Sequence, residues 1–221
     1  MSRPVATYRG GGSVRRTFQE LKRRGAQVLV IGDVPEAVSR RATRRLLGHP
    51  DEQRYRVLAL TDSAVDDAAW FPGECAPDDE RVALIDEREL RGSAATDAPV
   101  GPSPAEEPVL RRIDAEIRAW EPDETPPPAV LRVGLYSLEP LLEAHGVDAV
   151  RTLTARLTGA VRRVRGIGHY HLPRAADADA VADLEPAFDA RLELRSAANG
   201  PEQRWHLPGR GTTSWVALED P

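Results

Sequence analysis

One stretch, Val130 to Pro173, limits the folds open to this chain more than any other. It begins with an apolar run, Leu131-Arg132-Val133-Gly134-Leu135-Tyr136-Ser137-Leu138, and ends with another, Gly166-Ile167-Gly168-His169-Tyr170-His171-Leu172-Pro173. Between them Val147, Val150, Leu153, Leu157, Val161 and Val164 recur at helical spacing, which predicts a helix from Val147 to Val164. Arg151, Arg156, Arg162, Arg163 and Arg165 fall on its other faces. Two strands joined by a helix of this length are most simply parallel neighbours in one sheet, linked by a right-handed crossover.

The remaining segments fall into place around that unit. Residues 1–12 end in three glycines and read as a flexible lead-in. Ser13 caps a helix from Val14 to Arg24, which Gly25 stops. Gln27 to Ile31 is continuously apolar after its first residue, as in a strand buried on both faces. The turn Gly32-Asp33-Val34-Pro35 then enters a helix from Glu36 to Leu47, closed by Gly48. Arg56 to Leu60 and Val82 to Asp86 are further strands, with a short helix from Ala64 to Trp70 between them. Val109, Leu110, Ile113, Ile117 and Trp120 mark another helix, set between a Pro/Ala-rich loop at 92–108 and a Pro-rich loop at 121–129. Asp177 to Ala187 is helical and Phe188 to Leu194 a strand. Gln203 to Leu207 and Ser214 to Leu218 form an antiparallel hairpin around Pro208-Gly209-Arg210-Gly211. The fold class is therefore α/β, a mostly parallel sheet covered by helices with a C-terminal antiparallel hairpin, in a single domain over 13–221.

Composition narrows the functional classes. A net charge of −5 argues against a nucleic-acid binder that works by overall charge. Lys22 is the only lysine among 30 basic residues, a bias that fits a GC-rich, salt-loving host. Cys75 is the only cysteine, so no intrachain disulfide forms and a reducing compartment is expected. No apolar run reaches the ~20 residues a membrane helix needs, and the first residues lack a signal-peptide core. The expectation is a cytoplasmic, soluble protein with no membrane association.

Ligands of parallel sheets sit at the carboxyl ends of the strands, which directs the search for chemistry to Gly32–Ser39, Thr61–Ser63, Asp86-Glu87, Tyr136–Glu139 and His171–Arg174. Gly32 to Ser39 has the length of a phosphate-binding loop and keeps its first glycine and final hydroxyl. Ala37 replaces the second glycine, Val38 replaces the lysine, and Asp33 and Glu36 bring negative charge where a triphosphate would lie. After the central strand, where an NTPase places a metal-linked aspartate, stands Tyr136, and Ser137 beside it suits a helix cap. Glu139 is the one nearby acid that could substitute there, but Pro140 next to it points to a helix start. His169 and His171 point to one face of their strand; a metal would need a third ligand from His145, His206 or an acid. His171, nearest the carboxyl tip, is the best single residue for a ligand contact. The arginines of Arg40–Arg45 and Arg151–Arg165 describe either solvated faces or a phosphate grip. Trp205 and Trp215 either anchor the hairpin or form a partner patch. Neither a serine-hydrolase elbow nor a cysteine–histidine arrangement occurs. No catalytic residue, metal or cofactor is assigned. If a nucleotide binds, its contacts are Gly32, Ser39, Tyr136, Ser137 and His171.

Val133-Gly134-Leu135-Tyr136-Ser137-Leu138-Glu139-Pro140-Leu141-Leu142, then Gly168-His169-Tyr170-His171-Leu172-Pro173, then Leu184-Glu185-Pro186-Ala187-Phe188-Asp189, resemble an uncharacterised haloarchaeal family, the HTR-like proteins. Leu21 to Gly32 and Arg54 to Val57 carry the same likeness. Those proteins are similar to degenerate RecA and KaiC ATPase domains, so the resemblance implies a RecA-like three-layer core and no established activity. Relatives often carry Asp-Ser where this chain has Tyr136-Ser137, which removes the residual metal link. Three functions follow as expectations. The first is a non-catalytic regulatory or protein-interaction module that binds an unknown partner or itself. The second is a nucleotide-binding protein or weak NTPase with an unconventional site. The third is a DNA-associated regulator using the arginine helices.

Overall fold

Short strands that are apolar on both sides fold only where a layer of helices covers each face, and this chain supplies both layers. The computed structural model describes residues 11–62, 67–73, 75, 77, 79–86, 108–120 and 126–221. In chain order the principal elements are α1 (Gly11–Arg24), β1 (Ala26–Ile31), α2 (Glu36–Leu47), β2 (Tyr55–Leu60), β3 (Val82–Asp86), α3 (Pro108–Trp120), β4 (Leu131–Tyr136), α4 (Glu139–Arg163), β5 (Ile167–Leu172), α5 (Asp179–Leu184), β6 (Ala190–Ala197), β7 (Gly200–Leu207), β8 (Gly211–Thr212) and β9 (Val216–Ala217). The strands form one sheet in the order β3-β2-β4-β5-β1-β6-β7-β8, with β9 also paired to β7. From β3 to β6 every pairing is parallel; β7, β8 and β9 are added antiparallel. The central unit is as expected: β4 and β5 are parallel neighbours, in register from Arg132 with Ile167 to Leu135 with Tyr170.

Alternation along the strands divides the sheet's side chains between two layers. Leu29, Ile31, Val57, Ala59, Val133 and Leu135 point to one face and form the main core with Ile113 and Ile117 of α3 and Val150 and Leu157 of α4. On the other face Val28, Val30, Leu192 and Leu194 pack against Ala42 of α2 and Leu218 of the tail. Leu21 and Phe18 of α1 pack there too, beside Ala26, Ile167 and Leu207.

Helix α2 and strand β3 have the bounds that the sequence predicts. Elsewhere the differences have local causes. Helix α1 starts at Gly11, ahead of the expected cap at Ser13. Helix α4 starts at Glu139 and breaks at Gly146 (φ 75°, ψ 169°), so the predicted start at Val147 marks its second part. The helix expected over 177–187 is α5 followed by a 3-10 turn, Glu185–Ala187, at Pro186. Asp67–Trp70 is likewise a 3-10 turn. Residues 1–10, 63–66, 87–107 and 121–125, which include most of the two proline-rich loops, lie outside the described residues.

The antiparallel end contains one hairpin more than expected. Strands β6 and β7 pair from Arg191 with His206 to Ala197 with Gly200, around the two-residue turn Ala198-Asn199. The expected outer hairpin follows, but its second strand is split. Thr213 leaves the ladder to bond Trp205 twice: its N–H donates to the Trp205 carbonyl (2.8 Å), and its Oγ1 accepts the Trp205 N–H (2.9 Å). Both tryptophans act as anchors. Trp205 meets Phe18 of α1 edge to face at 4.9 Å, and the Arg195 and Arg204 guanidiniums cover the Trp215 ring at 4.1 and 4.4 Å.

One glycine inside the sheet is set by its neighbour. Gly134 lies opposite His169, and a Cβ there would meet His169 Nε2 at 2.7 Å and Leu58 Cδ1 at 2.9 Å. The space a side chain would fill holds the imidazole. Gly134→Ala should therefore lower unfolding free energy by about 1–3 kcal/mol, the usual range for overpacking. The loss should shrink in a His169→Ala background, as a double-mutant cycle by urea denaturation would read.

Candidate functional site

At the carboxyl edge of the sheet, the turns after β1, β4 and β5 meet. β1 lies between β5 and β6, so Gly32 emerges against both. Its N–H donates to the Arg174 carbonyl at 2.9 Å. Its φ is +135°, and a Cβ would stand 2.4 Å from the Leu194 carbonyl oxygen. Glycine is required here by the close approach of β6, a packing reason independent of any phosphate.

The rest of the turn follows suit. Pro35, which has no N–H, occupies the N-cap of α2, and the Val38 N–H turns back to the Pro35 carbonyl at 2.8 Å. Val38, at the position of a phosphate-loop lysine, packs against the core under α2. Ser39 is 2% exposed, so its hydroxyl is enclosed within the fold. Asp33 is exposed, and Glu36 pairs with Arg40 at 3.4 Å.

At the end of β4, Tyr136 is buried with its ring 4.5 Å from Trp70 and 5.4 Å from His171. Burial, assisted by the charges of Glu36 and Asp62, pushes its phenol up to about 12. The Tyr136–Ser137 peptide is cis. Fully buried Ser137 donates its N–H to Thr61 Oγ1 (2.7 Å), and the same hydroxyl donates to the Ser137 carbonyl (2.7 Å). Ser137 Oγ accepts the Glu139 N–H at 3.3 Å, but from one residue ahead of the N-cap, which is Leu138 and makes no side-chain cap bond, so Ser137 is not the expected cap residue itself. Glu139, the one acid that could stand in for the missing aspartate, is held by Arg174. Nε reaches its two oxygens at 2.9 and 3.0 Å, and Nη2 closes a further contact. Hydrogen bonding to Glu139 raises the Arg174 guanidinium above its usual range.

The two histidines lie on the α2 face with ring centroids 5.7 Å apart. His171 Nε2 is 2.9 Å from the Thr43 hydroxyl of α2, and both nitrogens of fully buried His169 lack partners among the described residues. Burial drives His171 down to about 3. Burial, then the charges of His171 and Arg132, take His169 well below its ordinary value. Both imidazoles are neutral at physiological pH. No group of three His, Cys, Asp or Glu among the described residues is placed to hold a metal, and His206 bonds Thr212 Oγ1 at 2.8 Å.

The structure thus brings Gly32, Tyr136, Ser137 and His171 to the carboxyl edge, each held by a neighbouring group, and buries Ser39 within α2. Of their partners, Thr61 and Arg174 fall in the strand-end stretches already marked for chemistry, whereas Thr43 lies outside them. Several arginines of the two basic helices are likewise paired. Arg41 and Arg44 of α2 both reach Asp220, while Arg151 and Arg162 of α4 reach Asp148 and Asp189. Among the described residues no helix is long and apolar enough to cross a membrane.

Against known proteins, the profile of a family of unknown function, DUF7504, matches residues 25–194. The match runs from the turn before β1 into β6, so it takes in the whole parallel part of the sheet and leaves out α1 and the β7–β9 end. No curated protein matches the chain.

The buried histidines give stability a pH dependence with a definite sign. Their folded values lie below the ordinary imidazole value of 6.5, so below that pH the unfolded chain binds protons that the native state refuses. Their contribution is complete above pH 6.5. It is lost as pH falls towards 3, by up to about 1.4 kcal/mol per pH unit for each histidine. Urea unfolding between pH 7 and 5 should show this slope, and His171→Asn should remove about half of it.

Proposed function

This chain belongs to the DUF7504 family, and we propose that it is a non-catalytic RecA/KaiC-like domain serving as a cytoplasmic regulatory or protein-interaction module. The observation that carries this reading is the closed carboxyl edge. The Gly32 N–H is already bonded to Arg174, Pro35 offers no N–H, and Val38 is packed into the core. A triphosphate over this turn would meet Asp33 and Glu36 without a lysine. The parallel, helix-covered sheet supports the RecA/KaiC likeness carried by the β4, β5 and α5 segments. The near-absence of lysine supports haloarchaeal ancestry, and the lone cysteine supports a reducing compartment. With chemistry at the edge blocked, a module of this kind acts through its surface, on a partner protein or a second copy.

Thermal unfolding with ATP or GTP at millimolar concentration, with and without magnesium, tests the reading. A ligand that binds only the native state at a hundred times its Kd adds about 2.7 kcal/mol, a shift of several degrees. The expected result is an unchanged midpoint under all four conditions. A magnesium-dependent rise would replace this reading with nucleotide binding at an unconventional site.

A further inference from the structure

Two apolar clusters cover the α2 face of the sheet at its β1–β6 part, and they meet only at Trp205, which packs against both. Phe18 and Leu21 of α1 close over Ala26 and Ile167, while Ala42 and Leu46 of α2 close over Val28 and Leu192. Along the boundary between them, over the amino half of β1 and β5, runs a groove of about 370 Å³. That is within the size range of small-molecule sites. Phe18 and Leu46 flank it from the two helices, and both keep part of their apolar surface in contact with solvent. The charges around the groove are one-sided. Lys22 of α1 and Arg45 of α2 line it, both exposed, and neither pairs with a carboxylate among the described residues. The one carboxylate that lines it among the described residues, Glu52, is held by Arg54 at 3.0 and 3.2 Å.

Apolar surface left against water is stabilised by an apolar ligand, and exposed cations without acid partners favour an anionic end on that ligand. We propose that this groove binds a free alkyl carboxylate. The chain lies along the boundary between the α1 and α2 clusters, against Phe18 and Leu46, and the head stays at the mouth with Lys22 and Arg45. The chain needs no polar partner. The head keeps its water, so no charge is buried and no desolvation penalty arises. The groove lies over the amino half of the strands, away from Gly32, so its occupancy is independent of the reading of the carboxyl edge.

Hexanoate, octanoate and decanoate, kept below their micellar range, are the probes, and octanol is the neutral counterpart. Calorimetry on the full chain should show binding that tightens about tenfold with each two-carbon extension, the effect of burying two further CH₂ groups. Octanoate should bind about fivefold tighter than octanol, as two exposed charge contacts allow. Methyl NMR signals of Leu46 and Ile167 should move with either ligand. Lys22→Glu with Arg45→Glu alters only exposed side chains and should weaken octanoate about tenfold while sparing octanol. Leu46→Glu, checked for folding by its NMR spectrum, should weaken both. The proposal is overturned if decanoate gives no heat at millimolar concentration, if affinity does not rise from hexanoate to octanoate, or if octanoate and octanol bind equally. Shifted signals that lie away from the groove, or indifference of octanoate binding to the Lys22 and Arg45 reversal, overturn it too. So does undiminished binding by a folded Leu46→Glu chain.

Discussion

A single residue, Arg174, ties the carboxyl edge of the sheet together. Its carbonyl takes the Gly32 N–H from the end of β1, and its guanidinium grips Glu139 at the start of α4. The Leu138 N–H completes the lacing by donating to the His171 carbonyl, and Thr61 clasps Ser137 from β2. All of this depends on β1 being threaded between β5 and β6, because only there can the turn after β1 touch both the segment after β5 and the Leu194 carbonyl. Charge-assisted, two-pronged contacts such as Arg174 with Glu139 also hold geometry more firmly than single neutral bonds. The edge at which a parallel sheet presents free donors to a ligand is here bonded to itself.

The two faces of the sheet solve burial differently. Under α3 and α4 the core is almost wholly apolar, with Tyr170 the chief exception, and its hydroxyl donates to Gln27 Oε1 at 2.8 Å. Under α2 the strands carry Arg56, Arg132, His169, His171 and Tyr136, all buried. Such groups are tolerable only when bonded or uncharged. The arginines discharge into backbone carbonyls of His49, Ala129 and Leu46, the histidines are held neutral, and His171 meets Thr43. Helix α2 is therefore fixed by a polar seam as well as by contacts through Ala42 and Leu47.

Much of the fold was legible because local signals and burial agree. Apolar runs marked the parallel strands, Pro35 and Gly48 bounded α2, and the β4–β5 crossover followed from length alone. Other features were hidden for physical reasons. Gly32 looked like half of a phosphate loop, yet its constraint is the Leu194 carbonyl, 162 positions away in sequence. His171 was legible as a strand-end histidine, but its partner Thr43 is 128 residues distant and carries no local mark. The β6–β7 hairpin turns on Ala198-Asn199, a pair that carries no strong hairpin signal, while Gly200 already belongs to β7.

Hydrogen exchange at the Gly32 amide reads the closed edge most directly, since an amide that is buried and hydrogen-bonded exchanges only when that part of the structure opens. The account predicts that this amide exchanges as slowly as those of β1, and that ATP with magnesium leaves its rate unchanged. Rapid exchange in the free protein, or protection that appears only when nucleotide is added, would contradict it.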